Sequence, residues 1–433
     1  MTGWEGSVSS NVIDEFGWRG LLYEATEGLA EALAQRSVTC YIGFDPTASS
    51  LHVGSLLPMM ALARMQRAGH RPIAIAGGGT GLIGDPSGKT QERQLLTRDQ
   101  VRENLEGIRP QIAKFLDFDT PDNAAQIIDN ADWLASIDLM SFLRDVGKYF
   151  TVNYMLAKEA VKRRLEAEEG VSYTEFSYLL LQSYDYLVLH DRLGCTLQLG
   201  GSDQWGNITA GCDLIRKLRG ARAHGLVMPL VTTSAGVKFG KTEAGTVWLD
   251  PARTSPFRFY QFWLNTDDRD VVTYLKYFTF LTRPEVDALA EQVERAPEGR
   301  ETQRVLARLV TGMVHGEASV ARAERASRLL FGEEITSLSL DEVLEVFDDV
   351  PSSEWPSESF TGEGVAIADV LVQSGLAPSK SEAMRLVKGG GVSVNNRRIT
   401  NERQRLTRDM AIDGRVFVVR RGGRQQHLVR LAG

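Results

Sequence analysis

Four short stretches of the chain hold residues whose types and spacing suit phosphate and small-molecule chemistry. Leu51-His-Val-Gly-Ser55 sits where an apolar-periodic helix, expected from about Leu51 to Ala68, begins. The free N–H groups at a helix start favour anions. His52 can donate to a phosphate and Gly54 leaves room for a ligand. Taken alone, a surface histidine beside a packing glycine explains the stretch better. In Thr232-Thr-Ser-Ala-Gly-Val-Lys-Phe-Gly-Lys-Thr242, Lys238, Lys241 and Thr242 lie on a glycine-bearing loop that could close on a polyphosphate. Taken alone, an exposed basic turn explains this stretch better too. Gly200-Gly-Ser-Asp-Gln-Trp-Gly-Asn207 permits close backbone approach and offers Asp203 to ribose hydroxyls, or Asp203 simply caps a helix. Tyr178, Gln182 and Asp185, spaced by four and three, share a helix face. A hydroxyl, an amide and a carboxylate in line could bind an amphoteric small molecule, or form a solvated stripe.

Two glycine motifs carry less. Gly79-Thr-Gly-Leu-Ile-Gly84 matches a dinucleotide fingerprint, but the acidic strand end needed about 20 residues on is missing. Gly84-Asp-Pro-Ser-Gly-Lys-Thr90 resembles a phosphate loop but has Ile83 where the first glycine belongs. A tight turn with substrate contact is the expected compromise.

The elements that must position these groups alternate. Residues 38–44 read as a buried strand, followed by the helix that Gly69 closes. Pro72–Ala76 reads as a second strand, and Thr97-Arg-Asp-Gln100 as a capping box. Strands alternating with helices predict an α/β fold with a parallel sheet. From about Phe257 to Leu330 the pattern is helical. Residues 350–364 read as a linker by their Pro, Ser, Glu and Gly content. Beyond them Ile367–Lys388 reads as two helices and Val392-Ser-Val394 as sheet.

The chain has 433 residues, enough for two to four domains, with 43% hydrophobic and 24% charged residues. Its net charge of -7 hides an asymmetry. From Val365 onward thirteen cations face five anions, leaving that stretch at +8 and the rest at -15. A basic module on an acidic body fits an enzyme with a nucleic-acid substrate. Cys40, Cys195 and Cys212 have neither metal nor disulfide spacing, which predicts a reducing compartment and no structural zinc. An N-terminus without an apolar core argues against targeting, and no apolar run is long enough to span a bilayer.

Together the motifs become recognisable. The first stretch resembles the HIGH signature of class I aminoacyl-tRNA synthetases, and the second resembles their KMSKS loop. Tyr41-Ile-Gly-Phe-Asp-Pro-Thr47, Gly84-Asp-Pro-Ser-Gly88, Phe176-Ser-Tyr178 and Gly200–Thr209 are similar to the bacterial-type tyrosyl-tRNA synthetases in particular. The basic tail resembles the RNA-binding domain named for ribosomal small-subunit protein four. One departure is Ser55, which stands where the signature has its second histidine.

The resemblance implies a Rossmann-like parallel-sheet catalytic domain with an insertion over 1–246, an all-helical anticodon-binding domain over 247–335, a linker region over 336–364 and a small α+β RNA-binding domain over 365–433. It implies tyrosine activation by ATP and magnesium, then transfer to the 3′ end of the tyrosine tRNA, in a cytoplasmic homodimer without a membrane segment or a tightly bound cofactor. By the same resemblance Tyr41 and Asp185 bind the phenol hydroxyl. Asp85, Tyr178 and Gln182 hold the ammonium, and Gln204 lies near the α-phosphate or carboxylate. Asp45, Thr47, His52, Gly54, Gly201 and Asp203 bind ATP. His52, Ser55, Lys238, Lys241 and Thr242 act on the transferring group, with Lys89 and Arg93 assisting. Lys380, Arg385, Lys388, Arg397 and Arg398 meet the tRNA. Three rivals stay open: a tryptophanyl-type synthetase, a nucleotidyltransferase without tRNA, and a non-catalytic RNA-binding paralogue.

Overall fold

A computed structural model describes residues 11–87, 95–165, 171–236, 239–242, 245–330, 340–347, 350–422 and 425–432. Two compact units are present: Met1–Ser255 with Phe262–Val314, and Pro256–Gln261 with His315–Gly433.

The first unit is built on a six-stranded sheet. Its strands are β1 (Glu24–Ala25), β2 (Thr39–Phe44), β3 (Arg71–Ala76), β4 (Gln126–Asp129), β5 (Cys195–Gly201) and β6 (His224–Met228), in the order β1-β6-β5-β2-β3-β4. β2 to β6 are mutually parallel; β2, β3, β5 and β6 are largely buried, as suits strands covered on both faces, and β4 is a half-exposed edge. β1 is an antiparallel edge that the sequence did not reveal.

The helix after β2 starts later than expected. His52 is extended, Val53–Ser55 is a single 3-10 turn, and the α-helix runs from Leu56 to Arg67. The capping box at Thr97 and Gln100 forms with both reciprocal bonds. Helix Tyr173–Leu193 starts from Ser172, whose hydroxyl accepts the Glu175 N–H. It packs with helix Trp205–Arg219 through Tyr186, Leu189, Leu214 and Ile215. Each such buried side chain contributes about 1.5–3 kcal/mol. The hairpin β7 (Lys241–Thr242) with β8 (Gly245–Thr246) follows the sheet.

The chain leaves β2 toward β3 on one side and returns through β5 on the other. This topological switch opens a crevice at the carboxyl ends of β2 and β5. There the first unit differs from the expected division at residue 246, because helices Asp268–Phe278 and Arg283–Arg295 belong to it. Buried Arg19 and Arg64 explain this: both guanidinium groups donate to carbonyls at the C-terminal end of helix Asp268–Phe278.

The second unit holds helices Glu317–Leu330 and Leu340–Val346 and a sheet of order β12-β11-β14-β15-β9. The strands of this unit are β9 (Ser352–Pro356), β10 (Val365–Ala366), β11 (Val392–Val394), β12 (Arg397–Ile399), β13 (Arg405–Leu406), β14 (Val416–Arg421) and β15 (Gln425–Ala432), with β10 and β13 pairing as a separate ladder. Asn395 and Asn396, both left-handed, form the two-residue turn between β11 and β12. The linker expected through 364 is corrected here. β9 pairs in parallel with β15, and the rings of Trp355, Phe360 and Phe417 pack at 5.7 and 5.3 Å in the core. Two buried aromatics outweigh a linker-like composition.

Candidate active site

The pocket begins with Tyr41 on β2. Its side chain is 2% exposed, its ring meets Tyr186 edge-on at 5.3 Å, and its hydroxyl has no partner among the described residues. Gln198, its register partner on β5, has an unpartnered buried Oε1 as well. Asp185 comes from helix Tyr173–Leu193 and is buried. Its two oxygens accept from Asn130 Nδ2 at 2.9 Å and Trp133 Nε1 at 2.7 Å. Burial pushes the Asp185 carboxyl up to about 7, against the pull of those two bonds. Burial, then the nearby Asp185, raises the Tyr41 phenol well above its ordinary value. A buried carboxylate beside an unsatisfied hydroxyl is a receptor for another hydroxyl.

One turn away from this pair lies an amide and carboxylate network. Gln204 Nε2 donates to Asp85 Oδ2 at 2.6 Å, and the Ser87 N–H donates to Asp85 Oδ1 at 2.9 Å. Asn207 Nδ2 donates to Gln182 Oε1 at 2.9 Å and lies 3.3 Å from Gln204 Oε1. Tyr178 donates to Asp45 Oδ2 at 3.3 Å, and Thr80 donates to Oδ1 at 3.2 Å. Asp45, expected with the nucleotide, therefore also holds Tyr178 of the amino-acid set. Acceptors gathered this way suit an ammonium.

At the other end His52 Nδ1 accepts the Gly54 N–H at 3.0 Å. With that nitrogen used as acceptor, the neutral ring carries its proton on Nε2 and can donate it. A Cβ at Gly54 would stand 2.7 Å from the His52 ring, so the glycine makes room for the imidazole. Ser55 does not cap the following helix with its side chain. A Cβ at Gly201 would stand 2.7 Å from Asp203 Oδ1, where the chain turns into helix Trp205–Arg219. The Thr47 N–H bonds the Asp45 carbonyl at 2.9 Å. Lys241 and Thr242 form β7, whose hairpin is tied to the His52 segment by Val53 N–H to Val247 O at 3.0 Å. Lys238, Lys89 and Arg93 lie outside the described residues.

In the second unit Lys380, Arg385, Lys388, Arg397 and Arg398 are exposed. Lys380 pairs with Asp369, Arg385 with Glu382, and Lys388 with Glu402 at 3.9 Å. Exposed pairs of this kind contribute about 0–1 kcal/mol and exchange partners readily. Arg398 Nε donates to the Gly390 carbonyl at 2.7 Å and braces the Gly389–Gly391 turn.

Comparison with known proteins shows the family. Residues 33–332 match the family model "tRNA synthetases class I (W and Y)", and residues 342–429 match "Tyrosine–tRNA ligase SYY-like C-terminal domain". The chain is 57% identical over 422 residues to the tyrosine–tRNA ligase of Roseiflexus castenholzii, covering 98% of this chain and 100% of that one. The chain belongs to the tyrosine–tRNA ligases. It is also 50% identical to the ligase of Geobacillus stearothermophilus over 427 residues, again 98% of this chain and all of that one. Among solved structures, a C-terminally truncated mitochondrial tyrosyl-tRNA synthetase of Aspergillus nidulans superposes with a TM-score of 0.68 at 30% identity, over 75% of this chain and 95% of that one. A tryptophanyl-tRNA synthetase of Encephalitozoon cuniculi shares the fold at 15% identity, with a TM-score of 0.50 over 71% of this chain and 87% of that one. Fold alone therefore does not separate the two amino acids.

The ligase pocket contains residues that motif reading passed over. Asn130 is fully buried, accepts the Gly79 N–H, and donates to Thr80 as well as Asp185. Trp133 and Asn207 complete the set. Asn130 follows Ile127-Ile128-Asp129 at a carboxyl strand end, a position that could have drawn attention to it but does not show its partner Asp185.

Proposed function

We propose that this tyrosine–tRNA ligase reads tyrosine at the carboxyl ends of β2 and β5 and activates it with ATP delivered past the His52 segment. The tyrosine carboxylate attacks the α-phosphorus, the bond to pyrophosphate breaks, and tyrosyl-adenylate forms. A ribose hydroxyl at the 3′ end of the tRNA then takes the tyrosyl group and AMP leaves. The attacking carboxylate is already ionised at pH 7. Neither a protein nucleophile nor a base for that group is needed, and rate comes from positioning and charge stabilisation.

Tyr41 and Asp185 take the phenol hydroxyl, Asp85, Tyr178 and Gln182 the ammonium, and Gln204 the carboxylate end. Thr47 and His52 face the γ-phosphate, with Asp45 beside them and Ser55 as a neutral donor. Gly54, Gly201 and Asp203 meet the sugar. Lys238, Lys241 and Thr242 close over the leaving pyrophosphate. Magnesium would come with ATP, held by phosphate oxygens and water. Among the described residues no three acidic, histidine or cysteine side chains gather as a metal cage.

The observation that carries the reading is the buried, unpartnered Tyr41 hydroxyl beside a carboxylate fixed by Asn130 and Trp133. An indole has no hydroxyl to meet the Tyr41 hydroxyl and the carboxylate together, which argues against the tryptophanyl reading. The test is charging of the tyrosine tRNA together with ATP–pyrophosphate exchange driven by tyrosine and by tryptophan. Tyrosine alone should support both. Exchange with tryptophan at a comparable rate, or no exchange at all, overturns the assignment.

The helical domain expected over 247–335 would face the anticodon arm, and the basic stretch from Val365 onward would hold tRNA phosphates. The ligase would act as a homodimer in the cytoplasm. Exposed Leu139, Met140 and Leu143 on one short helix, Val152 and Leu156 on the next, and Tyr173 at the start of the long helix support a second copy as the occupant of that face. No helix among the described residues is long and apolar enough to cross a membrane. Sedimentation of wild type and Met140→Asp should show a dimer and its dissociation.

A further inference from the structure

Among the described residues of the loop 232–242 whose burial is defined, only Phe239 and Gly240 are buried. The Phe239 ring lies in a cage of four aromatics: Tyr274 at 4.9 Å, Phe278 at 5.2 Å and nearly parallel, Phe262 at 5.5 Å and Trp263 at 5.6 Å. These are the separations at which aromatic rings attract one another. Next along the chain, Gly240 has φ +81°, and a Cβ there would stand 2.6 Å from Val53 Cγ2. Residue 240 therefore lies flat on the segment that carries His52 and Gly54.

The cage is itself fastened to that segment. Arg64 Nη2 donates to the carbonyls of Lys276, Tyr277 and Thr279 at 3.1, 3.0 and 2.8 Å, on both sides of Phe278. Arg64 belongs to the helix Leu56–Arg67 that follows Ser55. A closed ring results: His52 segment, helix, Arg64, Phe278, Phe239, Gly240 and back to Val53. Phe239 follows Lys238 directly and precedes Lys241 by two residues.

We infer that Phe239 is a positioning residue for the reaction: seated in its cage, it sets where Lys241 meets the pyrophosphate. This rests on the reading of Lys241 given above. A side chain that only stabilised the fold would act independently of Lys241, whereas a positioning residue acts through it.

The test is rapid-quench measurement of adenylate formation, with tyrosine Kd and thermal midpoint, on wild type, Phe239→Ala, Phe239→Leu, Lys241→Ala and the Phe239→Ala/Lys241→Ala pair. Phe239→Ala should slow adenylate formation on the order of 10²-fold, the usual cost of misplacing a catalytic group by about 1 Å. Tyrosine Kd should not move, and Phe239→Leu, which keeps an apolar plug, should recover much of the rate. On the Lys241→Ala background the loss from Phe239→Ala should largely vanish. Additive losses, or a tyrosine Kd that worsens as much as the rate, overturn this inference while the loop reading survives. A normal rate in Lys241→Ala itself overturns both. Should Phe239→Ala not be obtained folded, the same cycle is read with Phe239→Leu, where additivity again overturns the inference.

Discussion

The two ends of the active site are made differently. At the proposed tyrosine end, buried and half-buried side chains are paired around the open Tyr41 hydroxyl: Asp185 with Asn130 and Trp133, Asp85 with Gln204, Gln182 with Asn207. At the proposed nucleotide end the structure offers glycines, a His52 ring oriented by the Gly54 N–H, and a basic hairpin pinned at Phe239. A preset pocket suits discrimination, because the wrong ligand leaves buried groups unpaired. Groups on a loop suit a contact that strengthens only as charge moves onto the leaving group.

The largest expected effect belongs to the preset end. Phenylalanine would leave the buried Tyr41 hydroxyl without a partner and would offer Asp185 no hydroxyl, so pyrophosphate exchange should favour tyrosine by roughly 10⁵ without editing; this family is itself the usual example of that figure. Similar exchange rates with the two amino acids would break the comparison.

Next in size is the loss of the basic C-terminal stretch. A protein ending at Leu330 should still form adenylate but lose on the order of 10³ in transfer to tRNA at physiological salt, as phosphate contacts disappear. Cutting near Gly362 is a poorer test, since it strips β15 from β9 and exposes Trp355 and Phe360. Undiminished aminoacylation by the shorter protein would remove the basic stretch after Val365 from the mechanism.

Much of this was legible in the sequence where the signal is local. The capping box at Thr97, the shared face of Tyr178, Gln182 and Asp185, and the Val392–Val394 strand are set by residues within one or two turns of each other. Asn130 and Trp133 were not legible, because they meet Asp185 across 55 and 52 residues of chain. The linker misreading has the opposite cause. Local composition was polar, and only pairing with β15, more than 70 residues on, makes Ser352–Pro356 a strand.

A smaller effect sharpens the picture of Asp185. Its carboxyl is raised to about 7 by burial, and the ionised form can accept from Asn130, Trp133 and the phenol together. Tyrosine binding thus favours the ionised form. As pH falls through about 7 the carboxylate takes a proton and tyrosine affinity should drop, by at most about tenfold per unit. Phenylalanine affinity should not follow. Titration calorimetry between pH 8 and 5.5 reads this, and a flat tyrosine profile would contradict it.

The smallest effect concerns Ser55. His52 has its ring oriented by the Gly54 N–H, while Ser55 supplies only a neutral hydroxyl. His52→Ala should therefore slow adenylate formation more than Ser55→Ala, with both acting on the ATP step. The reverse order in pre-steady-state kinetics would give Ser55 a larger role than a hydroxyl donor.

The contrast between the two ends is tested most directly by one crossed experiment: tyrosine Kd and the rate of adenylate formation at saturating tyrosine, on Asp185→Asn and Lys241→Ala. Asp185→Asn should weaken tyrosine binding about 10- to 100-fold, the scale of a charged hydrogen bond at 1.5–3 kcal/mol. Lys241→Ala should leave tyrosine Kd unchanged and slow adenylate formation by a similar factor. If Lys241→Ala weakens tyrosine binding as much as Asp185→Asn does, or leaves the rate untouched, the division into a preset pocket and a closing loop is wrong.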